Sequence, residues 1–141
     1  MRAFIDTNLW AYRLDRRDPD KAEWIREWLQ QIMNSHDVVI STQVLIELRS
    51  VATKKLQPPL SNSQIQTMLD ALSNFEVVAT DANLVLDANL LAQRHQLNWF
   101  DALIAEAAIR SNCTVLFSED FNHGSSLDGL EMINPFKAVV V

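Results

Sequence analysis

Four carboxylates stand where apolar runs end or helical runs begin. Asp6 closes the run Ala3-Phe4-Ile5 and is followed by Thr7-Asn8. Glu47 lies in Gln43-Val44-Leu45-Ile46-Glu47-Leu48, just after the β-branched run Val38-Val39-Ile40. Asp101 opens a helical stretch in Asn98-Trp99-Phe100-Asp101-Ala102-Leu103-Ile104, and Glu119-Asp120 follow Leu116-Phe117-Ser118. No basic residue sits inside these motifs to pair with the acids. Two bare carboxylates about 4 Å apart repel by roughly 4 kcal/mol at an effective dielectric constant of about 20. If these acids converge, at least one takes up a proton or a cation relieves the set. An all-oxygen donor set without His or Cys selects hard ions, Mg2+ or Mn2+. Such ions clamp phosphate oxygens and activate water, so the chemistry implied is hydrolysis of a phosphodiester.

That convergence needs a scaffold. Short strand-like runs at 3–5, 38–40, 75–79, 114–117 and 130–133 alternate with helical stretches at 9–15, 20–34, 42 onward, 81–95 and 99–111. A further helix starts at Ser61 or Ser63. In the second helix, Ile25, Trp28, Leu29, Ile32 and Met33 recur at three- and four-residue spacing, marking one apolar face. Thr42 is the expected cap of the third. Short apolar strands alternating with helices predict an α/β fold: a Rossmann-like α/β/α sandwich around a parallel sheet of about five strands. In such sheets the site lies beyond the carboxyl ends of the strands, at the switch point. The acids follow or flank those ends. Pro58-Pro59 reads as a loop within a single domain spanning 1–141, since neither half is large enough for its own core.

Composition excludes several alternatives. The chain has 141 residues, 48% of them hydrophobic, which suits a globular core. Two glycines, Gly124 and Gly129, cannot build a glycine-rich phosphate loop. The single cysteine, Cys113, excludes an internal disulfide or a multi-cysteine zinc site and suits a reducing compartment. It reads as a small core residue. Lys and Arg number 12 against 18 Asp and Glu, a formal charge of −6, where a protein that wraps nucleic acid is expected to be basic. Bound cations would reverse that field locally. Asp6 interrupts the N-terminal apolar stretch too early for a signal peptide, and Ala138-Val139-Val140-Val141 is too short for a membrane anchor. A cytoplasmic location is expected.

The segments Phe4-Ile5-Asp6-Thr7-Asn8, Glu47 on its helix, Trp99-Phe100-Asp101-Ala102-Leu103-Ile104-Ala105 and Leu116-Phe117-Ser118-Glu119-Asp120 resemble the PIN domain. Within it, the chain is similar to the small VapC-type toxin ribonucleases, over nearly its whole length. The ending Ile133-Asn134-Pro135-Phe136 fits that group as well. The resemblance implies an endoribonuclease using one or two Mg2+ or Mn2+ ions and leaving 5′-phosphate and 3′-hydroxyl ends. It further implies a homodimer neutralised by a small antitoxin. Asp6, Glu47 and Asp101 match the family's first three metal-binding, catalytic acids. Asp120 matches the fourth, with Ser118 in the place of the family's threonine and Glu119 as the alternative. Asn8 would orient water, metal or a carboxylate, with Thr7 and Ser118 supporting the same network.

Each residue also has a plainer reading. Asp6 caps a helix; Glu47 is an exposed helix residue loosely paired with Lys54 or Arg49; Asp101 completes a capping box with Asn98; Asp120 is a loop acid. His36, His95 and His123 show no ligand spacing, and of these His123 is the one candidate for phosphate contact. Arg13, Arg16 and Arg17 are candidates for RNA phosphates or form a solvated helix end with Asp15 and Asp18. Trp24 and Trp28 read as core or dimer packing, while Trp10 and Tyr12 line the core or an antitoxin groove. Of Trp99 and Phe100, one is expected to pack inward and the other to stack on a base. Competing functions are a receiver-like module phosphorylated at Asp81, with Lys137 a poor match for its lysine, and a catalytically silent PIN-like binding domain. A haloacid dehalogenase-type phosphatase would want an Asp where Asn8 stands.

Overall fold

The computed structural model describes residues 1–138, so Val139–Val141 of the apolar C-terminal run lie outside the described residues. The chain begins with β1 (Arg2–Ile5), α1 (Thr7–Tyr12), α2 (Pro19–Ser35), β2 (Asp37–Ser41) and α3 (Thr42–Lys54). It continues with α4 (Asn62–Leu72), β3 (Glu76–Val78), α5 (Ala82–His95) and α6 (Trp99–Arg110). It closes with β4 (Val115–Phe117), β5 (Ser126–Leu127) and β6 (Leu130–Ile133).

The sheet runs in the order β3-β2-β1-β4-β6-β5. Every pairing is parallel except β5 against β6. Strand β4 and most of β1 and β2 are buried, as a parallel sheet covered by helices on both faces requires. The sequence-based sheet of about five strands thus gains a sixth, antiparallel edge strand. Its signal is Asp128-Gly129: both residues have positive φ (49° and 86°), the geometry of a two-residue hairpin turn.

From β1 the chain winds outward through β2 to β3, then crosses back through α5 and α6 to β4 on the other side of β1. The switch point therefore falls between β1 and β4. Helix α6 carries the crossover and is buried along most of its length. Four alanines (102, 105, 107, 108) let it press closely against its neighbours. Of the α2 face predicted from spacing, Ile25, Leu29 and Ile32 are buried and Trp28 is partly buried, but Met33 is exposed at the edge of the face and Ala22 takes part instead.

Helix starts explain most boundary differences. Helix α1 occupies 7–12 rather than 9–15, because Asp6 is extended and its side chain accepts from the Thr7 N–H. Ser41, not Thr42, caps α3 by accepting from Val44 N. Ser61 caps α4 in a reciprocal capping box with Gln64. Trp24 and Trp28 are core-packing residues, with ring centroids 4.9 Å from Phe136 and 4.8 Å from Phe117. Trp10 is fully buried and its indole N–H donates to the Ile5 carbonyl at 3.1 Å. Cys113 is a buried free thiol. Among the described residues no helix is long and apolar enough to cross a membrane.

Candidate metal centre

Asp6 sits at the carboxyl end of β1, 3% exposed, with both carboxylate oxygens held. One accepts from Thr7 N and the other from Ser118 Oγ, each at 2.7 Å. Ser118 directly follows β4, and its Oγ also accepts from Asp120 N at 3.0 Å. One hydroxyl thus ties the ends of β1 and β4 together across the switch point. Thr7 donates its hydroxyl to Glu47 Oε1 at 2.8 Å, which anchors the second turn of α3 to the start of α1. The loose pairing of Glu47 with Lys54 or Arg49 is not what holds it.

Asp101 lies in the first turn of α6, where the positive end of the helix dipole favours a carboxylate. Asn98 caps that helix by accepting from Phe100 N at 3.1 Å. Asp6, Glu47, Asp101 and Asp120 line one cleft of about 350 Å3, together with Thr7 and Asn8. A second depression continues past the same Asp101 and Asp120 toward Gln96–Asn98 and Phe121.

Electrostatics record the crowding. Burial, helped by the charges of Asp120 and Glu47, pushes Asp6 up to about 7 against the lowering effect of its two hydrogen bonds. Burial and the same two neighbours push Asp101 up to about 6. Asp120 is raised by burial and by Glu119, with Asn8 opposing. Carboxylates raised by burial and mutual repulsion are what a hard cation neutralises. Two buried acceptors in the cleft, Asn8 Oδ1 and Gln43 Oε1, have no hydrogen-bond partner among the described residues. Among the described residues no three acids stand close enough to form a ready-made ligand cage. Mg2+ does not require one, since it keeps several waters and is bound through one or two carboxylates. The donor set therefore fits a hydrated hard ion held between opposing walls.

The two acids after β4 separate by geometry. Glu119 turns away from the cleft, accepting from the Tyr12 hydroxyl and lying 4.0 Å from Lys21 Nζ. Asp120 faces the cleft. Tyr12 thus serves this contact.

Other expected residues lie elsewhere. Arg13 and Arg16 line a separate groove between α1, α2 and α4, and Arg17 is paired with Asp15 at 2.9 Å. His123 accepts from Asn134 N at 3.1 Å, an intramolecular role in the C-terminal loops. Asp81 caps α5 by accepting from Leu84 N and lies 3.8 Å from Arg110, away from the acids. Neither Trp99 nor Phe100 packs inward: they are 38% and 59% exposed, and Phe100 lines the cleft.

Several cleft residues went unread in the sequence. Gln43, Ser50, Val51 and Lys54 line it beside Glu47. Their spacing from Glu47 (−4, +3, +4, +7) is that of one helix face, a signal available once Glu47 is taken as an anchor. Lys55 joins them at the C-cap of α3.

The chain belongs to the PIN domain family, whose model matches residues 3–124. Its fold is similar to that of VapBC2 from Rickettsia felis, solved bound to a DNA fragment from its promoter (22% identity, TM-score 0.66, covering 94% of this chain and 97% of that one). It is also similar to a toxin–antitoxin complex from Klebsiella pneumoniae (21%, TM-score 0.63, 91% and 94%). A third neighbour is VapC20 of Mycobacterium tuberculosis, a sarcin-ricin-loop-cleaving toxin (20%, TM-score 0.60, 84% and 91%). Comparison with curated proteins gives no match.

Proposed function

We propose that this PIN domain is a Mg2+- or Mn2+-dependent endoribonuclease and the toxin of a type II toxin–antitoxin pair. The observation that carries the reading is the cleft itself. Four carboxylates from the ends of β1 and β4 and from α3 and α6 line one cleft at the switch point, and none of them is ion-paired among the described residues. Family membership supports a nuclease, and the solved neighbours described as toxins or toxin–antitoxin complexes support the biological role.

Asp6, Glu47, Asp101 and Asp120 would hold the ion or ions. When bound there, a hard divalent cation supplies charge neutralisation and water activation for phosphodiester hydrolysis. The chain's own residues supply order. Thr7 N and Ser118 Oγ fix both oxygens of Asp6, Thr7 Oγ1 fixes Glu47, and Ser118 sets the backbone that presents Asp120. Asn8 Oδ1 and Gln43 Oε1 are buried acceptors without a partner among the described residues, and both residues line the cleft. The same reading brings a small protein antitoxin, a homodimer and a cytoplasmic site of action.

The test is incubation of the purified protein with total RNA in Mg2+, in Mn2+ and in EDTA. The expected result is discrete cleavage in either metal, abolished by EDTA and by Asp6→Asn. Cleavage unaffected by chelator, or by Asp6→Asn in a folded protein, sinks the mechanism. Co-expression with the product of an adjacent short reading frame should give a stable complex with suppressed cleavage.

A further inference from the structure

Phe100 is a large aromatic side chain left 59% exposed, in the first turn of α6 and next to Asp101. It lines the acid cleft instead of joining the core. Its backbone is pinned. Gln43, 7% exposed on α3, donates its Nε2 to the Phe100 carbonyl at 3.2 Å, bridging the two walls of the cleft. The position of the ring's backbone is thus set by a partly buried tether. On the α3 wall, Lys54 and Lys55 line the same cleft, and neither makes an ion pair among the described residues.

We propose that Phe100 is a stacking platform for an unpaired nucleobase beside the scissile phosphate, with Lys54 and Lys55 holding phosphates of the same strand on the facing wall. The proposal rests on the nucleic-acid reading of the cleft and names the form of substrate it takes. An aromatic face with flanking cations is the combination that holds single strands without reading sequence. A base inside a duplex has both faces covered by its neighbours and cannot use such a platform. The cleft and the adjoining depression share Asp101 and Asp120, so concave surface lies on both sides of these two acids, as a strand passing them requires. The two lysines supply a local cationic rim on a chain whose net charge is −6.

The test is equilibrium binding of a short single-stranded RNA oligonucleotide of mixed sequence, carrying fluorescein and an internal 2-aminopurine. It is run with the Asp6→Asn protein in Mg2+ and with the parent protein in EDTA. Phe100→Ala and Phe100→Leu should each weaken binding about tenfold and abolish the protein-induced change in 2-aminopurine emission, while Phe100→Trp restores both. Lys54→Ala and Lys55→Ala should each lower the slope of log affinity against log salt by about 0.7. A fully paired RNA duplex should bind at least about tenfold more weakly. The proposal is overturned if Phe100→Ala binds as the parent does, if Phe100→Leu restores binding, or if the single strand binds in neither condition. It is equally overturned if Phe100 variants change the sedimentation of the protein and leave RNA binding intact, which would make the ring a protein contact. Phe100-dependent binding by a protein that cuts no RNA in Mg2+ or Mn2+ overturns the nuclease reading and leaves this one standing.

Discussion

The two ends of α1 face opposite chemistries. At its N-terminus, Asp6 and Asn8 belong to the acid cleft. At its C-cap, Arg13 lines a groove with Arg16 and Arg26, floored by Leu14, Leu60 and Met68. A six-residue helix is about 9 Å long, so the sign of the local charge reverses over that distance. Both ends hold like charges together against their own repulsion. Burial and its acidic neighbours raise Asp6, whereas burial and Arg26 lower Arg13. The consequences differ. A guanidinium does not lose its proton in a protein, so the groove stays cationic at any working pH. Asp6 is pushed up to about 7 and Asp101 to about 6, so the charge of the cleft is adjustable by protons or by cations. A net charge of −6 describes neither surface.

If the two surfaces are as separate in function as in chemistry, substitutions should sort by side. The largest effect belongs to Asp6→Asn, which should lower metal-dependent RNA cleavage by a factor on the order of 10³, the scale of losing a preorganised charge stabiliser. Circular dichroism should be unchanged, because asparagine can still accept from Thr7 N and can donate to Ser118 Oγ.

The acids after β4 sharpen the contrast within the cleft rim. Asp120→Asn should cost at least about 100-fold in cleavage. Glu119→Gln should leave cleavage within a few-fold and lower stability by about 1 kcal/mol through its bond with Tyr12. Equal losses from both substitutions would erase the distinction drawn from their orientation.

Ser118→Ala removes the hydroxyl shared by Asp6 and Asp120. Cleavage should fall by about 10- to 100-fold, the usual cost of losing a residue that orients ligands, and metal affinity should fall with it.

Titration tests the cleft side alone. Asp6 is protonated up to about pH 7 in the folded protein, against an ordinary value of 3.8. In that window the native state binds more protons than the unfolded chain, so stability falls as pH rises through it. Metal-free protein should therefore lose stability between about pH 4 and pH 7, measured by urea denaturation, and Asp6→Asn should flatten that dependence. Mg2+ or Mn2+ should oppose the loss increasingly toward pH 8, because the ion competes with the proton. The smallest effect belongs to the other end of α1: Arg16→Ala should leave cleavage within about twofold. A tenfold loss there would join the arginine groove to the RNA path.

The strand runs, the helix faces and the four acids were legible in the sequence because each is a local pattern. Apolar runs of 3–5 residues, three- and four-residue spacing, and a carboxylate just past a strand are written in neighbouring positions. The edge strand β5 was missed because it has two residues and no apolar period, although Asp128-Gly129 marks its turn. Arg13, Arg16 and Arg17 follow Asp6 closely in sequence, but α1 turns them away from the rim. Lys54 and Lys55 are far from Asp6 in sequence yet share its cleft.

By itself the sequence determined the α/β class, the order of the elements and which carboxylates are offered to a site. Hydrophobic period and helix caps act over a few residues, so one chain suffices to read them. Only the tertiary structure decided that Asp120 and not Glu119 faces the cleft, that Asp6 is both helix cap and buried acid, and that Gln43 fastens the wall carrying Phe100. Those outcomes depend on contacts between residues tens of positions apart. There, burial and the competition for a single hydroxyl or carbonyl select among side chains that are chemically interchangeable on paper.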